Sequence, residues 1–221
     1  MSHDSGYEEG RMGPVPFLLG GRLCLDFVNT VNSRSRPATR DYLSGASDLI
    51  DWTWQVGLLD DGTIVRLRKR ARETPEDAAI AYETAIELRE TLYRIFHSII
   101  HQMAPDRADL DILSGLARQA RQAQELVPEG RSFRWIWQEE AAGLLVPVFA
   151  VSLSAVELLT REDLSRLKEC PALEGCGWLF YDQTKNRSRR WCSMEHCGST
   201  AKARRFAERQ KAVPVAAGGI G

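Results

Sequence analysis

The chain reads as a mainly α protein with a minor α+β component. A helical N-terminal domain carries a short strand or two, and a small hairpin-helix module built on four cysteines follows it. Three observations predict this. Amphipathic stretches with apolar residues at helical spacing fill most of the first 165 residues. Cys170, Cys176, Cys192 and Cys197 then fall within 28 residues, spaced C-x5-C-x15-C-x4-C. The charge is also split. Residues 166–211 hold 11 basic and 5 acidic side chains, an excess of +6, and the remainder carries −7.

The elements follow in order. Residues 1–16 are polar with Gly and Pro and read as a flexible tail. Gly20-Gly21 precedes RLCLDFVNTVNSR, predicted as a helix: Cys24, Phe27, Val28 and Val31 share an apolar face, and Asp26, Asn29, Thr30 and Ser33 a polar one. Cys24 stands apart from the other cysteines and reads as core packing. Ser44 or Ser47 can cap a second helix carrying Leu49, Ile50, Trp52 and Trp54, which Gly57 stops. A short basic helix covers Thr63 to Arg72. Thr74-Pro75-Glu76-Asp77 is a start signal for a long helix to about Gln102: a hydroxyl cap, a proline in the first turn, and acids on the positive end of the dipole. Asp106 can cap the next, through about Glu125. Phe133, Trp135 and Trp137 alternate as in a short strand. A helix from about Val146 to Leu159 is followed by Thr160-x-x-Asp163, the start of a short helix leading into Cys170.

In the cysteine module, residues 177–182 read as a strand, Gln183 to Asn186 as a turn, and Arg187 to Cys192 as the returning strand. A basic helix follows from about Gly198, with Ser199 or Thr200 as its cap. The domains are therefore residues 17–165 and 166–211, with a second flexible tail over 212–221.

Two short-spaced cysteine pairs separated by a hairpin-length insert suit one tetrahedral Zn²⁺, each pair supplying two thiolates from one knuckle. Four thiolates close the coordination sphere and leave no position for hydrolytic chemistry. A module this small buries too little apolar surface to fold alone, so metal would supply the energy. The expectation is one zinc per chain. His196, beside Cys197, reads as an exposed histidine because four thiolates complete the site. The polar, acidic N-terminus does not resemble a secretory signal. The longest uncharged stretch, Ala141 to Val156, is 16 residues, too short for a membrane span. These features place the chain in the cytoplasm without a membrane partner, where reduced thiols favour metal over disulfides.

The basic residues form a candidate DNA surface: Lys185, Arg187, Arg189 and Arg190 on the hairpin, and Lys202, Arg204, Arg205, Arg209 and Lys211 on the helix. The loaded module, counting Zn²⁺ and four thiolates, carries nearer +4, a modest charge for a lone monomer on DNA. In a strand, Arg190 points away from Arg187 and Arg189, and pairing with Asp182 is its structural alternative. Trp191 reads as core. His97 and His101 stand at i, i+4 on the long helix, a spacing that can bind metal, but no third ligand is evident in the sequence. No phosphate loop, nucleophile elbow or dinucleotide fingerprint appears, so no enzyme is expected.

Together these residues resemble a bacterial family, the CGNR zinc-finger proteins, which couple an N-terminal ABATE domain to a C-terminal finger. The finger text is Phe180-Tyr181-Asp182, then Arg189-Arg190-Trp191-Cys192-Ser193-Met194, then Cys197-Gly198. The opening is Gly20-Gly21, then Leu25-Asp26-Phe27-Val28-Asn29-Thr30, with Arg40-Asp41-Tyr42-Leu43 and Gly57-Leu58-Leu59. The resemblance covers roughly residues 17–210. It implies a transcription regulator whose finger holds zinc and contacts DNA, with an N-terminal part that senses or assembles. The family motif ends Asn-Arg where this chain has Ser199-Thr200. If the family arginine touches DNA, this chain has either lost that contact or moved it to Lys202, Arg204 or Arg205. The resemblance also raises the Asp26, Asn29, Thr30 face, with Arg34, as a ligand pocket for a small-molecule effector. The alternatives are a sensor or interaction module with a purely structural finger, and an RNA binder in which Trp178 or Tyr181 stacks on bases. One small finger reads few base pairs, which makes a homodimer plausible.

Overall fold

A computed structural model of the protein describes residues 14–34, 40–171 and 176–212, the last two by backbone alone. Of the expected tails, 1–16 and 212–221, residues 1–13 and 213–221 lie outside the described residues, as does the side chain of Lys211. Residue Val15, in the stretch read as tail, is buried and donates its N–H to Gln55 Oε1 at 3.2 Å.

The long helix organises the body. α4 (Pro75–Ile100) opens on Pro75, where a missing N–H costs nothing, and Glu76 and Asp77 face the positive end of its dipole. Its buried residues Ala81, Ala85, Leu88, Leu92, Ile95 and Phe96 recur at steps of three and four. α1 (Leu23–Val28), α2 (Ala46–Gln55), α3 (Asp61–Glu73), α5 (Arg107–Gln122) and α7 (Val146–Arg161) all pack against it. With the four-residue α6 (Glu139–Ala142) and a 3-10 turn ahead of it, α7 belongs to a stretch, Glu139–Arg161, long and apolar enough by length and composition to cross a membrane. Most of it is buried within the helical core.

Several ends differ from expectation. The Thr74 hydroxyl donates to the Arg70 carbonyl at 3.0 Å, so it closes α3 and does not cap α4. Asp106 caps α5 as expected, accepting from Ala108 N–H at 2.8 Å. Helix α5 ends at Gln122 because Gln124–Glu129 is a strand, β1, paired antiparallel with β2 (Ser132–Trp137). The single expected strand is thus one arm of a hairpin. Helix α7 runs on to Arg161; Thr160 bonds back to Val156, and Asp163 caps only a 3-10 turn, Leu164–Arg166.

The largest differences bear on the cysteine module. Residues 187–192 form no strand. β4 (Leu179–Tyr181) pairs instead with β3 (Leu167–Glu169), which precedes the first cysteine. Helix α1 is only six residues long, against thirteen expected. Its polar face is buried, not exposed, because β4 lies against it. Helix α8 (Ser199–Ala212) leaves from a π-turn, Met194–Gly198.

Candidate metal centre and nucleic-acid interface

Strand pairing closes the first knuckle. β3 ends beside Cys170, whose N–H donates to the Trp178 carbonyl at 2.9 Å, so the β3–β4 ladder holds Cys170 and Cys176 at its open end. The four sulfurs lie within 4.8 Å of one another, and Cys176–Cys192 and Cys192–Cys197 are each 3.5 Å apart. A tetrahedral Zn–S₄ centre with bonds of about 2.3 Å has edges of about 3.8 Å, so the donor set fits that ion with little adjustment. Crowding sets the thiols against each other. Hydrogen bonds from Cys176, Cys192 and Cys197 draw the Cys170 thiol well down, and donation to Cys170 drives Cys192 well up. A divalent cation resolves this by ionising all four. Cys170 and Cys192 are buried and Cys176 and Cys197 half-buried. His196 is exposed, stacks on Phe17 at 4.3 Å and lies outside the sulfur group. Cys24 is fully buried in the helical core, where desolvation pushes its thiol up to about 12.

The second knuckle is built around Arg189. Its guanidinium lies 4.4 Å from the Phe180 ring centroid. It donates to the carbonyls of Trp191 (3.1 Å), Cys192 (2.5 Å) and Leu19 (2.8 Å). Gly198 packs close to the knuckle's own side chains: a Cβ there would meet Trp191 Cδ1 at 3.2 Å and would displace the exposed Met194 side chain. Asp182, with no exposed surface, organises the turn before the knuckle. It accepts from Thr184 N–H (2.9 Å), Thr184 Oγ1 (2.6 Å), Arg189 N–H (3.0 Å) and Lys168 Nζ (2.6 Å). Burial alone would raise its carboxyl, but Lys168 and Thr184 outweigh that and hold it well below the usual range. Asp182 therefore pairs with Lys168, not with Arg190 as weighed from the sequence.

The polar face of α1 is the seam between body and finger. Asn29 donates from Nδ2 to the Leu179 carbonyl at 2.8 Å and accepts the Leu179 N–H at 3.0 Å. Asp26 accepts Gly20 N–H at 2.7 Å, and a Cβ on Gly20 would lie 2.7 Å from Asp26 N. Gly20 in turn accepts from Tyr181 N–H at 2.8 Å. Thr30 donates to the Phe27 carbonyl and accepts from Arg89, which is paired with Asp41 at 2.6 Å. Arg34 pairs with Glu90 at 2.7 Å, and its N–H donates to the Cys176 carbonyl at 2.8 Å. Asp26, Asn29 and Thr30 are thus buried and engaged with neighbouring backbone and Arg89. A cavity of about 300 Å³ adjoins the metal centre, lined by Cys176, Cys192 and Cys197 together with Phe17, Tyr42 and Trp178.

The expected DNA residues divide. Arg189 is internal. Arg187, at φ 51°, pairs with Asp163 at 2.7 Å. Arg204 pairs with Glu208 along α8 at 3.0 Å. Lys185, Arg190, Lys202, Arg205 and Arg209 are exposed and make no ion pair among the described residues. Ser199 and Thr200 turn back to the carbonyls of Glu195 and His196, so neither projects where the family motif has Asn-Arg. Trp178 is buried and donates its indole N–H to the Val31 carbonyl at 2.7 Å; Tyr181 is buried too, so neither can stack on a base.

Fold and centre define a four-cysteine zinc-finger protein whose finger is docked on a helical domain. Residues 21–162 match the ABATE family model, described as "Putative stress-induced transcription regulator", and residues 166–210 match the CGNR zinc finger. The chain belongs to the ABATE family and carries the CGNR finger at its C-terminal end. Neither model is described as an enzyme. No curated protein matches the chain.

Proposed function

We propose that the protein is a cytoplasmic transcription regulator that binds one Zn²⁺ through Cys170, Cys176, Cys192 and Cys197 and contacts DNA with α8. The observation that carries this is the exposed stripe Lys202, Arg205, Phe206 and Arg209, at i, i+3, i+4 and i+7 on α8, which continues from the π-turn of the second knuckle. Lys185 and Arg190 flank it as further phosphate contacts. Phe206, 65% exposed, offers an apolar contact within the cationic stripe. Arg187 and Arg189 support the finger and do not read DNA.

A second reading has one specific observation behind it: β4 is buried against the body, as in a finger that serves structure or protein contact alone. Binding to mixed genomic DNA by the zinc-loaded chain separates the two. Engagement of all five free cations gives a slope of log K against log salt of about −4 to −5. Lys202→Glu with Arg205→Glu should lower that slope by about 2. Sedimentation of the same sample tests the homodimer. Absence of salt-sensitive binding would leave the structural reading standing.

A further inference from the structure

His97 in the last turn of α4 and His101, its C-cap, stand one turn apart, and tertiary packing supplies the third group that the sequence did not reveal. Glu169, the last residue of β3, presents its Oε2 at 3.0 Å from His101 Nε2 and 3.7 Å from His97 Nε2. The two imidazoles are 4.3 Å apart at their centroids, and all three donor atoms fall within 4.8 Å of one another. Tetrahedral metal–ligand bonds of about 2.0–2.2 Å place neighbouring donors about 3.3–3.6 Å apart, and the two separations from Glu169 bracket that range. The nearby arginines do not oppose a cation. Arg34, over the Tyr93 ring, is neutralised by Glu90, and Arg94 by Asp109. The group is 20–48% exposed, so an ion can enter and exchange.

We propose that His97, His101 and Glu169 form a second, exchangeable site for a divalent transition-metal ion, which ties the long helix of the body to the strand leading into the first finger cysteine. Two imidazoles and one carboxylate suit Zn²⁺, Co²⁺ or Ni²⁺ and leave a position for water. Glu169 is covalently next to Cys170, so occupancy bears directly on how firmly the finger sits on the body. The inference does not depend on DNA binding.

The test uses the untagged full chain with its finger already zinc-loaded, titrated with Co²⁺. The site should take one further equivalent whose spectrum lacks sulfur-to-cobalt charge transfer, unlike metal at the four cysteines. His97→Ala and His101→Ala, mild changes on a helix surface, should each weaken it by more than the about 10–100-fold that removal of a supporting group alone costs. His196→Ala should not. Bound Co²⁺ should slow amide exchange at Leu167–Glu169, approaching about 100-fold at 100 times Kd if opening releases the metal. No second equivalent at about tenfold excess, or one that survives both histidine substitutions, overturns the site. A second equivalent with unchanged exchange in β3 overturns the tie between helix and strand.

Discussion

Replacing Asn29 by alanine tests the seam directly. Asn29 is 1% exposed and its amide holds both backbone groups of Leu179, a residue with no exposed surface. Alanine leaves a buried N–H and a buried C=O without partners. Each costs about 1–3 kcal/mol, so the sum is about 2–6 kcal/mol, toward the lower end if water enters the space. For a chain of this size about 3 kcal/mol corresponds to a fall in Tm of about 6–12 °C. Asn29→Asp should be no milder: it can still accept the Leu179 N–H, but sets a carboxylate oxygen against the Leu179 carbonyl. The assays are denaturant unfolding of the zinc-loaded chain and amide exchange at Leu179. A ligand-binding asparagine would behave differently, leaving stability intact. Loss of less than about 0.5 kcal/mol, with Leu179 exchange unchanged, would show that the amide does not hold the finger.

Two other perturbations have definite outcomes. Asp182→Asn removes a buried carboxylate from Lys168, which is 27% exposed, and should cost about 2–3 kcal/mol after allowance for solvent screening. Because the folded carboxyl is depressed, its contribution is complete above its unfolded pKa of about 4 and is lost as pH falls through the lower folded value, so the gap between wild type and D182N should narrow only below about pH 4; a gap constant from about pH 7 to pH 3 contradicts this assignment. Chelation of the finger metal, or Cys192→Ser, should abolish protection of the 176–198 amides while α4 keeps its own; retained protection there would show that the knuckles fold without metal.

The metal centre was legible in the sequence because four thiolates at knuckle spacing admit few other uses, and spacing along the chain is a sequence property. The long helix was legible for the same kind of reason: the Pro75 start and the apolar recurrence through Phe96 are local. The cationic stripe of α8 was visible as composition. What failed was each inference that depended on a neighbour. Helix periodicity continued past Val28, yet Asn29 pairs with a strand 150 residues away, and local propensity cannot register that bond. The Asp26–Asn29–Thr30 face looked like a solvated surface or a pocket because its partners, Gly20, Leu179 and Arg89, meet it only in the folded chain. Arg187 and Arg189 counted with Lys185 and Arg190 as basic candidates in the sequence; in the fold the Asp163 carboxylate takes Arg187, and the carbonyls of Leu19, Trp191 and Cys192 take Arg189. His97 and His101 had no third partner until β3 was laid across α4. Sequence thus determined where the longer helices form and which metal chemistry is available, since both follow from short-range spacing. Tertiary structure alone decided which polar side chains are free to act, because a polar group's role depends on whether folding buries it against a partner or leaves it in water.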